Sequence, residues 1–545
     1  MTELLIIGLD GATFDLIKPW AAEGRLPTLA KLMQEGVTGD LESTLPPVTS
    51  PAWPTFMTGK NPGKHGVFDF IRPRAGTFDM VNASQIKGKL LWEILSEAGY
   101  SVGVLNVPIT YPPRPVNGYL VPGLLSPDQG RTVYPPDLLK PYEAELGKYR
   151  LTPNVQYKLG HEDEFIADLH DLIDTQLRYA LRLMKDHPAD VLMLHFLATD
   201  NGSHALWRFM DKTHPRHDPT LAARYGDALL EVYQHLDRAV AEIESAVSNQ
   251  HSTIIMSDHG FGPLHRTINL NILFIEKGLM HLKPKFFTQL RWWAFRRGLT
   301  PATAYKILSQ LGLQNITARV SRKARNEMVG KFLSFEDVDW SKTIAYSMGH
   351  VGQIYINLRG REPYGSVTLD RYAAARQQVI DALNTLTDPA TGRPLVDRII
   401  PREEAAHGPY ADQGADLHLI IDGYKTIAFP LFATDGRVLT PQIRGDSGCH
   451  RLHGIFIASG QAFAAGALVA NARIVDLAPT ILHILNVPVP EDMDGRVLTD
   501  ALEPELRGKA TQVGAAAATS TAQVNFTEEE QAEVEERLRA LGYLG

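Results

Sequence analysis

Short runs of apolar residues recur along the chain, each bounded by glycine, aspartate or proline. The runs of strand length are Leu4–Leu9, Ser101–Val107, Val191–Leu197, Thr253–Met256, Leu417–Ile421 and Ile455–Ala458. Most are nearly continuous in apolar residues, which is typical of strands buried on both faces of a largely parallel sheet. Segments of helical periodicity lie between them, at Leu90–Glu97, Phe165–Lys185 and Tyr225–Ala246. The alternation predicts an α/β fold with a central, mostly parallel sheet flanked by helices.

Two later regions break this pattern and are predicted to form an inserted cap. Residues 283–331 contain eleven lysines and arginines, a single acid, and the aromatic residues Trp292, Trp293 and Phe295. This segment is predicted to be a helical lid. It is either a solvated hairpin that docks through its aromatic residues, or a collar that attracts an anionic substrate or a lipid surface. Residues 343–423 alternate like the strands of a small mixed sheet.

The end of the chain reads as a linker followed by a helix. Residues 508–525 are rich in alanine, threonine and glycine, which is typical of a linker. A capping box from Thr527 to Glu530 then precedes Val534, Leu538 and Leu541, which share one helical face. We expect this helix to dock on the same chain or on a partner. The predicted organisation is a core at 1–270 and 432–507, a cap at 271–431 (basic helical 283–331, small α+β 341–431), a linker at 508–525 and a C-terminal helix at 526–545.

Composition and charge narrow the class of protein. The chain has 545 residues, of which 44% are hydrophobic and 21% charged, as in an ordinary soluble domain. A net charge of −8 favours neither nucleic acid nor membrane for the chain as a whole, and no nucleic-acid-binding module is expected. The single cysteine, Cys449, excludes an internal disulfide framework. The start, MTELLIIGLDG, lacks the features of a signal peptide, and no apolar run is long enough to span a bilayer. The expected compartment is the cytoplasm, and a homo-oligomer is left open.

Carboxylates and imidazoles gather next to the apolar runs. They are Asp10 after the first run, Asp200 and His204 after Val191–Leu197, Asp258 and His259 after Thr253–Met256, and His450 shortly before Ile455–Ala458. Taken singly, each has an ordinary explanation as a turn, a surface pair or a polar loop. In open α/β sheets, however, sites form beyond the carboxyl ends of the strands, so these side chains are expected to meet.

The gathered side chains divide into two sets of metal ligands. Asp200, His204 and a distant histidine form one set, and Asp10, Asp258 and His259 form the other. Three protein ligands with an open position are typical of catalytic zinc, and Mn²⁺ is the alternative. Two such ions about 4 Å apart clamp the attacking and leaving oxygens of an in-line phosphoryl displacement. The sequence therefore predicts two divalent ions, Zn²⁺ first.

Residues 46–66, PPVTSPAWPTFMTGKNPGKHG, contain glycines and lysines that resemble a phosphate-binding loop. A P-loop requires G-x-x-x-x-G-K-[ST], whereas only three residues separate Gly59 from Gly63 and a histidine follows Lys64. A helix starting near Ser50 and ending at this turn is predicted instead. Thr49 then lies at a helix N-terminus, where phosphate is favoured. Thr49 or Ser50 could simply be the N-cap, and a cap residue can also be a nucleophile. A threonine nucleophile needs a metal or a base to activate it.

The ordered set of these motifs resembles the alkaline phosphatase superfamily, in its type I phosphodiesterase/nucleotide pyrophosphatase family. The segments that carry the resemblance are GLDGA, PPVTSPAWPTFMTGKNPGKHGVFDF, the spacing from Asp200 to His204, SDHGFGP, SGCHRLHGIFIASG and DLAPTILHILNVPVPEDMDGRVL. Together they extend over about residues 1–500. The resemblance implies an alkaline-phosphatase-like fold.

The resemblance also implies roles for particular residues. Thr49, in Thr-x-Pro, is the implied nucleophile and shares one metal with Asp10, Asp258 and His259. The other metal is implied to bind Asp200, His204 and the histidine of a Gly-x-His segment. That histidine is His450, which follows Gly448 with the family's spacing, and His453 is the competing choice.

Some positions depart from the family pattern. Nucleotide-cleaving members have an asparagine shortly after the helix, where this chain offers Asp69 and Phe70, and Trp53 replaces a smaller aromatic residue or histidine. We therefore expect Trp53, Asp69 and Phe70 to bind substrate, but do not expect a nucleotide preference from them. The chain lacks the C/S-x-P-x-R context of sulfatases, and the serine of related mutases has its nearest counterpart one position away, at Ser50.

The expected function is metal-dependent hydrolysis of phosphodiester or pyrophosphate bonds through a phospho-threonyl intermediate on Thr49. The substrate is a phosphoester, either a nucleotide or a lipid derivative. Two alternatives are a phosphomonoesterase or phospho-head-group transferase of the same superfamily, and a non-catalytic metal-binding module.

Overall fold

Strands from both halves of the chain form one eight-stranded sheet, here called the central sheet. The computed structural model describes residues 2–74, 77–127, 132–247, 250–299, 333–349, 351–428, 437–442, 446–516 and 524–540. From one edge to the other, the strands of the central sheet are Ala472–Arg473, Val37–Glu42, His453–Gly460, Ser252–Met256, Leu4–Leu9, Val191–Phe196, Val102–Leu105 and Gly118–Val121.

The central sheet is parallel except for one strand. Leu4–Leu9 pairs in parallel with Val191–Phe196 on one side and with Ser252–Met256 on the other. His453–Gly460 runs antiparallel to both of its neighbours, Val37–Glu42 and Ser252–Met256. The predicted α/β class with a mostly parallel sheet is confirmed.

Apolar side chains cover both faces of the central sheet. Within Leu4–Leu9, the side chains of Leu4 and Ile6 belong to one buried cluster and those of Leu5 and Ile7 to the other. Successive side chains of a strand point to opposite faces, so a strand with helices on both sides is apolar throughout. The helices are Phe14–Ala22, Pro27–Glu35, Thr49–Thr58, Pro62–His65, Leu91–Glu97, Glu143–Leu146, Glu162–Asp186, Ala198–Met210, Pro219–Tyr225, Ala228–Ala246, Leu270–Glu276, Phe286–Arg296, Tyr372–Leu383, Arg402–Ala405, Leu477–Ile484, Pro504–Arg507 and Glu528–Ala540.

One predicted strand lies outside the central sheet. Leu417–Ile421 belongs to a separate four-stranded sheet, between Ile354–Ile356 and Val396–Pro401, with Ala345–Ser347 at the edge. Its neighbours are antiparallel, so the interpretation of this run as a strand of the largely parallel sheet was wrong; it lies instead within residues 343–423, which were also predicted to form a small sheet. An apolar run records burial on both sides, and this strand is buried without belonging to the central sheet.

Smaller sheets connect the remaining segments. Arg266–Ile268 pairs with Thr426–Ala428 and Leu439–Pro441, and Gly260–Pro263 pairs with Gly448–Arg451. Two more pairs are Ile71–Arg74 with Thr77–Met80, and Val489–Pro490 with Val513–Gly514. The proposed boundaries of core, cap and linker remain predictions. No helix of the described residues is long and apolar enough to cross a bilayer.

The C-terminal helix, Glu528–Ala540, docks on its own chain. Val534 and Leu538 are buried, and the guanidinium of Arg537 donates to the backbone oxygens of Ser126 and Pro127. The predicted capping box is present, because Glu530 N donates to Thr527 Oγ1 and Thr527 N to Glu530 Oε2. Leu541, the third residue of the predicted apolar face, lies outside the described residues, as do residues 300–331 of the predicted lid.

Candidate metal centre

Three neighbouring strands of the central sheet deliver the first five candidate ligands. Asp10 directly follows Leu4–Leu9, and Asp258 and His259 follow Ser252–Met256 within three residues. The helix Ala198–Met210 begins after Val191–Phe196 and carries Asp200 and His204, four residues apart on one helical face. Because these strands are adjacent and parallel, their carboxyl ends lie at one edge of the sheet.

A long-range pairing of two short strands brings in the sixth candidate ligand from far along the sequence. Gly448–Arg451 pairs antiparallel with Gly260–Pro263, which places His450 opposite Phe261. The His450 ring stacks on that of His259, with centroids 3.8 Å apart. Gly448 allows this strand to lie close to the helix Ala198–Met210, because a Cβ at Gly448 would lie 2.4 Å from the backbone oxygen of Ser203. His450 thus lies within the cluster, whereas His453 is exposed.

Thr49 is buried beside this cluster. It is the first residue of the helix Thr49–Thr58, and its Oγ1 donates a hydrogen bond to His259 Nε2 over 3.3 Å. The helix N-cap is Val48, and no side chain caps the helix. The alternative in which Thr49 or Ser50 serves as the N-cap was therefore wrong. The Thr49 hydroxyl is oriented toward the cluster.

The two predicted ligand sets are each compact. In the first, His259 Nε2 lies 3.6 Å from Asp10 Oδ1 and 3.4 Å from Asp258 Oδ2. In the second, Asp200 Oδ1 lies 3.5 Å from His204 Nε2 and 3.4 Å from His450 Nε2. His259 also lies close to Asp200 and His450, since the donor atoms of these three residues are within 4.8 Å of one another. The two sets therefore share a boundary at His259.

The donor spacing fits divalent ions. A tetrahedral ion with bonds of about 2.0–2.1 Å holds its ligands about 3.3–3.4 Å apart, close to the nitrogen–oxygen distances given above. Asp10 Oδ1 and Asp258 Oδ2 are buried and have no hydrogen-bond partner among the described residues. Buried carboxylate oxygens without donors are costly unless a cation balances them. The residues present therefore fit a metal at each set.

The imidazoles are oriented as metal ligands require. His259 Nδ1 donates to the backbone oxygen of Gly260 over 3.1 Å, and His450 Nδ1 donates to that of Pro47 over 3.0 Å. With the proton at Nδ1, each Nε2 presents its lone pair to the carboxylates. A backbone acceptor that fixes the tautomer in this way is typical of metal-binding histidines.

Burial and crowding perturb the acidic groups. Burial, followed by the charges of Asp258 and Asp200, raises the pKa of Asp10 well above its ordinary value. Burial also raises the pKa of Asp258, against the opposing effect of His259. Burial acts to raise the pKa of Asp200 too, yet the imidazoles of His204 and His450 hold it below its ordinary value. Three neighbouring buried carboxylates repel one another, which favours the binding of cations.

Sequence reasoning missed His195, which holds Asp10 in place. His195 lies in Val191–Phe196, in register with Gly8, and its Nε2 donates to Asp10 Oδ2 over 2.8 Å. Burial lowers the pKa of His195 to about 3, so the imidazole is neutral at pH 7. Thr199 Oγ1 donates to the backbone oxygen of Asp10 over 2.6 Å. Only the strand register reveals these partners, because a histidine within an apolar run has no distinguishing spacing.

The predicted substrate-binding residues are buried away from solvent. The Trp53 ring packs edge-on against His195, with centroids 4.9 Å apart, and is fully buried. Phe70 is also buried, and Asp69 accepts hydrogen bonds from Phe70 N over 2.6 Å and from Gln353 Nε2 over 2.7 Å. Trp53 thus packs behind the candidate ligands, against His195. Asp69 links the segment that follows the helix Thr49–Thr58 to Gln353 of the predicted cap.

The loop that resembled a P-loop closes the helix and ties three segments together. Gly59 ends Thr49–Thr58 in the left-handed conformation, with φ 63°. Asp494 accepts hydrogen bonds from Asn61 N and Nδ2, over 2.8 and 2.7 Å, and pairs with Lys64 over 2.5 Å. His407 N donates to Asn61 Oδ1 over 3.0 Å. The polar groups of this loop bind protein groups, in agreement with the rejection of a P-loop.

The central sheet thus brings a buried hydroxyl beside two carboxylate–imidazole sets that could each hold a metal ion. The family model named type I phosphodiesterase / nucleotide pyrophosphatase matches residues 4–428, which include every candidate ligand except His450. The chain belongs to this family. The predicted family, the alkaline-phosphatase-like fold and the expectation of an enzyme of this class are confirmed.

Solved structures and one curated relative are similar to the chain at low coverage or low identity. Phosphonoacetate hydrolase from Sinorhizobium meliloti 1021, in complex with phosphonoacetate, is 14% identical, with a TM-score of 0.51 over 88% of this chain and 94% of that chain. Human ectonucleotide pyrophosphatase / phosphodiesterase 5 is 15% identical, with a TM-score of 0.48 over 90% and 96%. The 2,3-bisphosphoglycerate-independent phosphoglycerate mutase of Rippkaea orientalis is 46% identical over 46 residues, and the chain covers only 9% of its length.

Proposed function

We propose that the chain hydrolyses phosphodiester or pyrophosphate bonds through a phospho-threonyl intermediate on Thr49, with two divalent ions, Zn²⁺ first and Mn²⁺ as the alternative. The observation that carries the proposal is the buried Thr49 hydroxyl, 3.3 Å from His259 Nε2 and beside two ligand sets of metal-like spacing. Family membership supports the class of reaction.

The ligands divide between the two ions as the sets divide. Asp10, Asp258 and His259 would hold one ion together with Thr49, and Asp200, His204 and His450 would hold the other. When bound, the ions supply positive charge that activates oxygen nucleophiles and stabilises the transferring phosphoryl group. His195 and the backbone acceptors of His259 and His450 keep the ligands in place.

Thr49 carries the covalent step. Its Oγ1 forms a bond to phosphorus as the bond from phosphorus to the leaving oxygen breaks, and the Thr49 proton is lost to solvent. Water then attacks the same phosphorus and the Thr49–phosphorus bond breaks, which restores the hydroxyl. Two in-line displacements leave the configuration at phosphorus unchanged. In the first turn of Thr49–Thr58, the amides of Thr49 and Ser50 have no intrahelical acceptor, whereas Pro51 has no N–H and Ala52 N donates to Val48 O; the two open amides favour the negative charge of the phosphoryl oxygens.

Replacing Thr49 tests this role. Thr49→Ala should lower turnover by at least about 10³-fold, while two ions per chain remain bound. Ser50→Ala is the matched control, because Ser50 is equally buried and adjacent, and it should retain turnover. Turnover of Thr49→Ala close to that of the wild type would remove Thr49 from the mechanism.

Substrate comparison separates the hydrolase classes. The proposal expects bis-p-nitrophenyl phosphate and a nucleotide phosphodiester to be cleaved faster than p-nitrophenyl phosphate. Preference for the monoester would favour a phosphomonoesterase, and transfer to an added alcohol would favour a head-group transferase. Fewer than two bound ions with no hydrolysis of any phosphoester would favour a non-catalytic module.

A further inference from the structure

The helix Phe286–Arg296 has two apolar sides. One side faces the protein, where Thr288 and Phe295 are buried and Trp292 stacks on Phe295 with ring centroids 6.1 Å apart. The opposite side, here called the outer face, consists of Phe286, Phe287, Leu290 and Trp293. These side chains are 74%, 73%, 46% and 49% exposed. A surface helix normally has one apolar side, which faces the protein core. Here a second apolar side is left exposed.

The exposure is concentrated rather than scattered. Eleven large hydrophobic side chains are exposed in the part of the chain that the structure describes, and five of them lie between Phe286 and Leu299. Single exposed hydrophobic residues are ordinary, whereas a contiguous exposed patch marks a surface that binds a partner. Phe286 and Phe287 also contact each other edge-on, with centroids 5.5 Å apart.

Positive charge surrounds the outer face. Residues 283–299 contain five cations and no acid, in a chain whose net charge is −8. Arg291 pairs with Asp337 over 2.5 Å and Arg296 with Glu276 over 2.6 Å, so the excess positive charge comes from Lys283, Lys285 and Arg297. Arg297 lies over the Trp293 ring at 4.2 Å, so its charge stays beside the apolar side chains. The chemistry of this surface therefore matches a partner that is apolar and anionic at once.

We propose that the outer face binds the surface of a membrane that contains anionic lipids, with the helix lying in the plane of that surface. Aromatic and leucine side chains entering the headgroup boundary, with basic residues beside the phosphates, are typical of interfacial helices. The helix has 11 residues and is therefore about 16 Å long, which suits a helix that lies on a bilayer.

A second copy of the chain is a poorer partner for the outer face. A two-fold contact would place the same face, with the same cations, on both sides of the interface. Like charges placed opposite one another disfavour that contact, whereas anionic headgroups neutralise them. The proposal does not depend on the proposed catalytic activity.

Co-sedimentation of the full-length protein with lipid vesicles tests the proposal. We expect the protein to bind vesicles of phosphatidylcholine mixed with phosphatidylglycerol at least about tenfold more tightly than vesicles of phosphatidylcholine alone. The double variant Phe287→Ser/Trp293→Ser should lose at least tenfold of that binding. Leu369→Ser is the matched control, since Leu369 is 78% exposed but lies outside the outer face, and it should bind as the wild type does.

The outcomes that would overturn the proposal are equally specific. The proposal is overturned if the wild type does not bind the mixed vesicles, or if the double variant binds them as tightly as the wild type. A dimer in light scattering that the double variant abolishes, without vesicle binding, would assign the outer face to a second copy instead. The thermal unfolding of every variant is compared with that of the wild type, and Arg297→Gln gives a second variant that leaves the apolar residues intact and should also weaken binding.

Discussion

Removing the imidazole of His195 should weaken metal binding without disturbing the sheet. His195 donates to Asp10 Oδ2 over 2.8 Å, and both side chains are buried. This bond leaves Asp10 Oδ1 directed toward His259 Nε2, 3.6 Å away. His195→Leu keeps an apolar side chain of similar size against Trp53 but removes the donor, so the carboxylate loses the contact that fixes its rotamer.

Two independent magnitudes give the size of this effect. A hydrogen bond to a charged group contributes about 1.5–3 kcal/mol, and tenfold in an equilibrium constant corresponds to about 1.4 kcal/mol. The expected loss in affinity is thus about 10-fold to 100-fold, the range found when an outer-sphere partner of a metal ligand is replaced. We expect this loss for the ion held by Asp10, Asp258 and His259, and a much smaller loss for the other ion.

Titration of the metal-free protein with Co²⁺ measures both affinities through the ligand-field absorption. Turnover of His195→Leu should fall at limiting metal and recover at excess metal, because the ligands themselves remain. His195→Gln retains an N–H donor at about the reach of Nε2 and should restore most of the affinity. If His195→Leu bound both ions as tightly as the wild type, the proposed positioning role would be refuted.

Three further changes test other regions. Burial raises the pKa of Asp69 to about 7, so the folded chain keeps this proton at pH values where the unfolded chain has released it. The free energy of unfolding of the wild type should therefore fall by about 2–3 kcal/mol between pH 5 and pH 8, relative to that of Asp69→Asn. Unfolding in urea, with a chelator present, measures both. Asp494→Ala removes the acceptor of Asn61 and Lys64 and should lower the free energy of unfolding by about 2 kcal/mol in the same assay. Leu538→Ala should weaken docking of Glu528–Ala540 by about 2–4 kcal/mol, measured as faster amide hydrogen exchange in that helix.

Each of these changes has a control on the surface. Asp370→Asn, Asp500→Ala and Leu159→Ala replace exposed residues of the same types and should leave the corresponding measurement close to that of the wild type. Parallel pH profiles for the wild type and Asp69→Asn would contradict the raised pKa. Unchanged stability in Asp494→Ala would show that the loop is held by other contacts, and unchanged exchange in Leu538→Ala would mean that the helix does not depend on its buried face.

The central sheet could be predicted because the burial of its strands on both faces is visible in the sequence as continuous apolar runs. A continuous apolar run such as Leu4–Leu9 requires cover on both faces, and the polar residue after it marks the edge where a site forms. The same rule failed for Leu417–Ile421, since a strand of another sheet can be buried as completely. Helix bounds were less accurate: the helix predicted at Tyr225–Ala246 begins at Ala228, and Tyr225 is the last residue of the preceding helix, Pro219–Tyr225.

The residues of the two ligand sets could be proposed from the sequence because carboxylates and imidazoles are rare next to a strand end. Their supporting residues were not. His195 faces Asp10 only because Val191–Phe196 pairs in parallel with Leu4–Leu9 in one register, and no local spacing encodes that pairing. Trp53 was assigned to substrate from a departure in the family pattern, yet its ring is buried against His195. A position beside a nucleophile candidate does not determine which way a side chain points.

The position of His453–Gly460 in the central sheet also affects how the chain folds during its synthesis. This strand lies between Val37–Glu42 and Ser252–Met256, and it leaves the ribosome about 200 residues after the later of them, or about 10–40 s at ordinary rates of synthesis. Until then both neighbours present unpaired edges, which favours protection of the nascent chain by chaperones. His450 lies three residues before the same strand, so this candidate ligand reaches the other candidate ligands only when that strand joins the sheet.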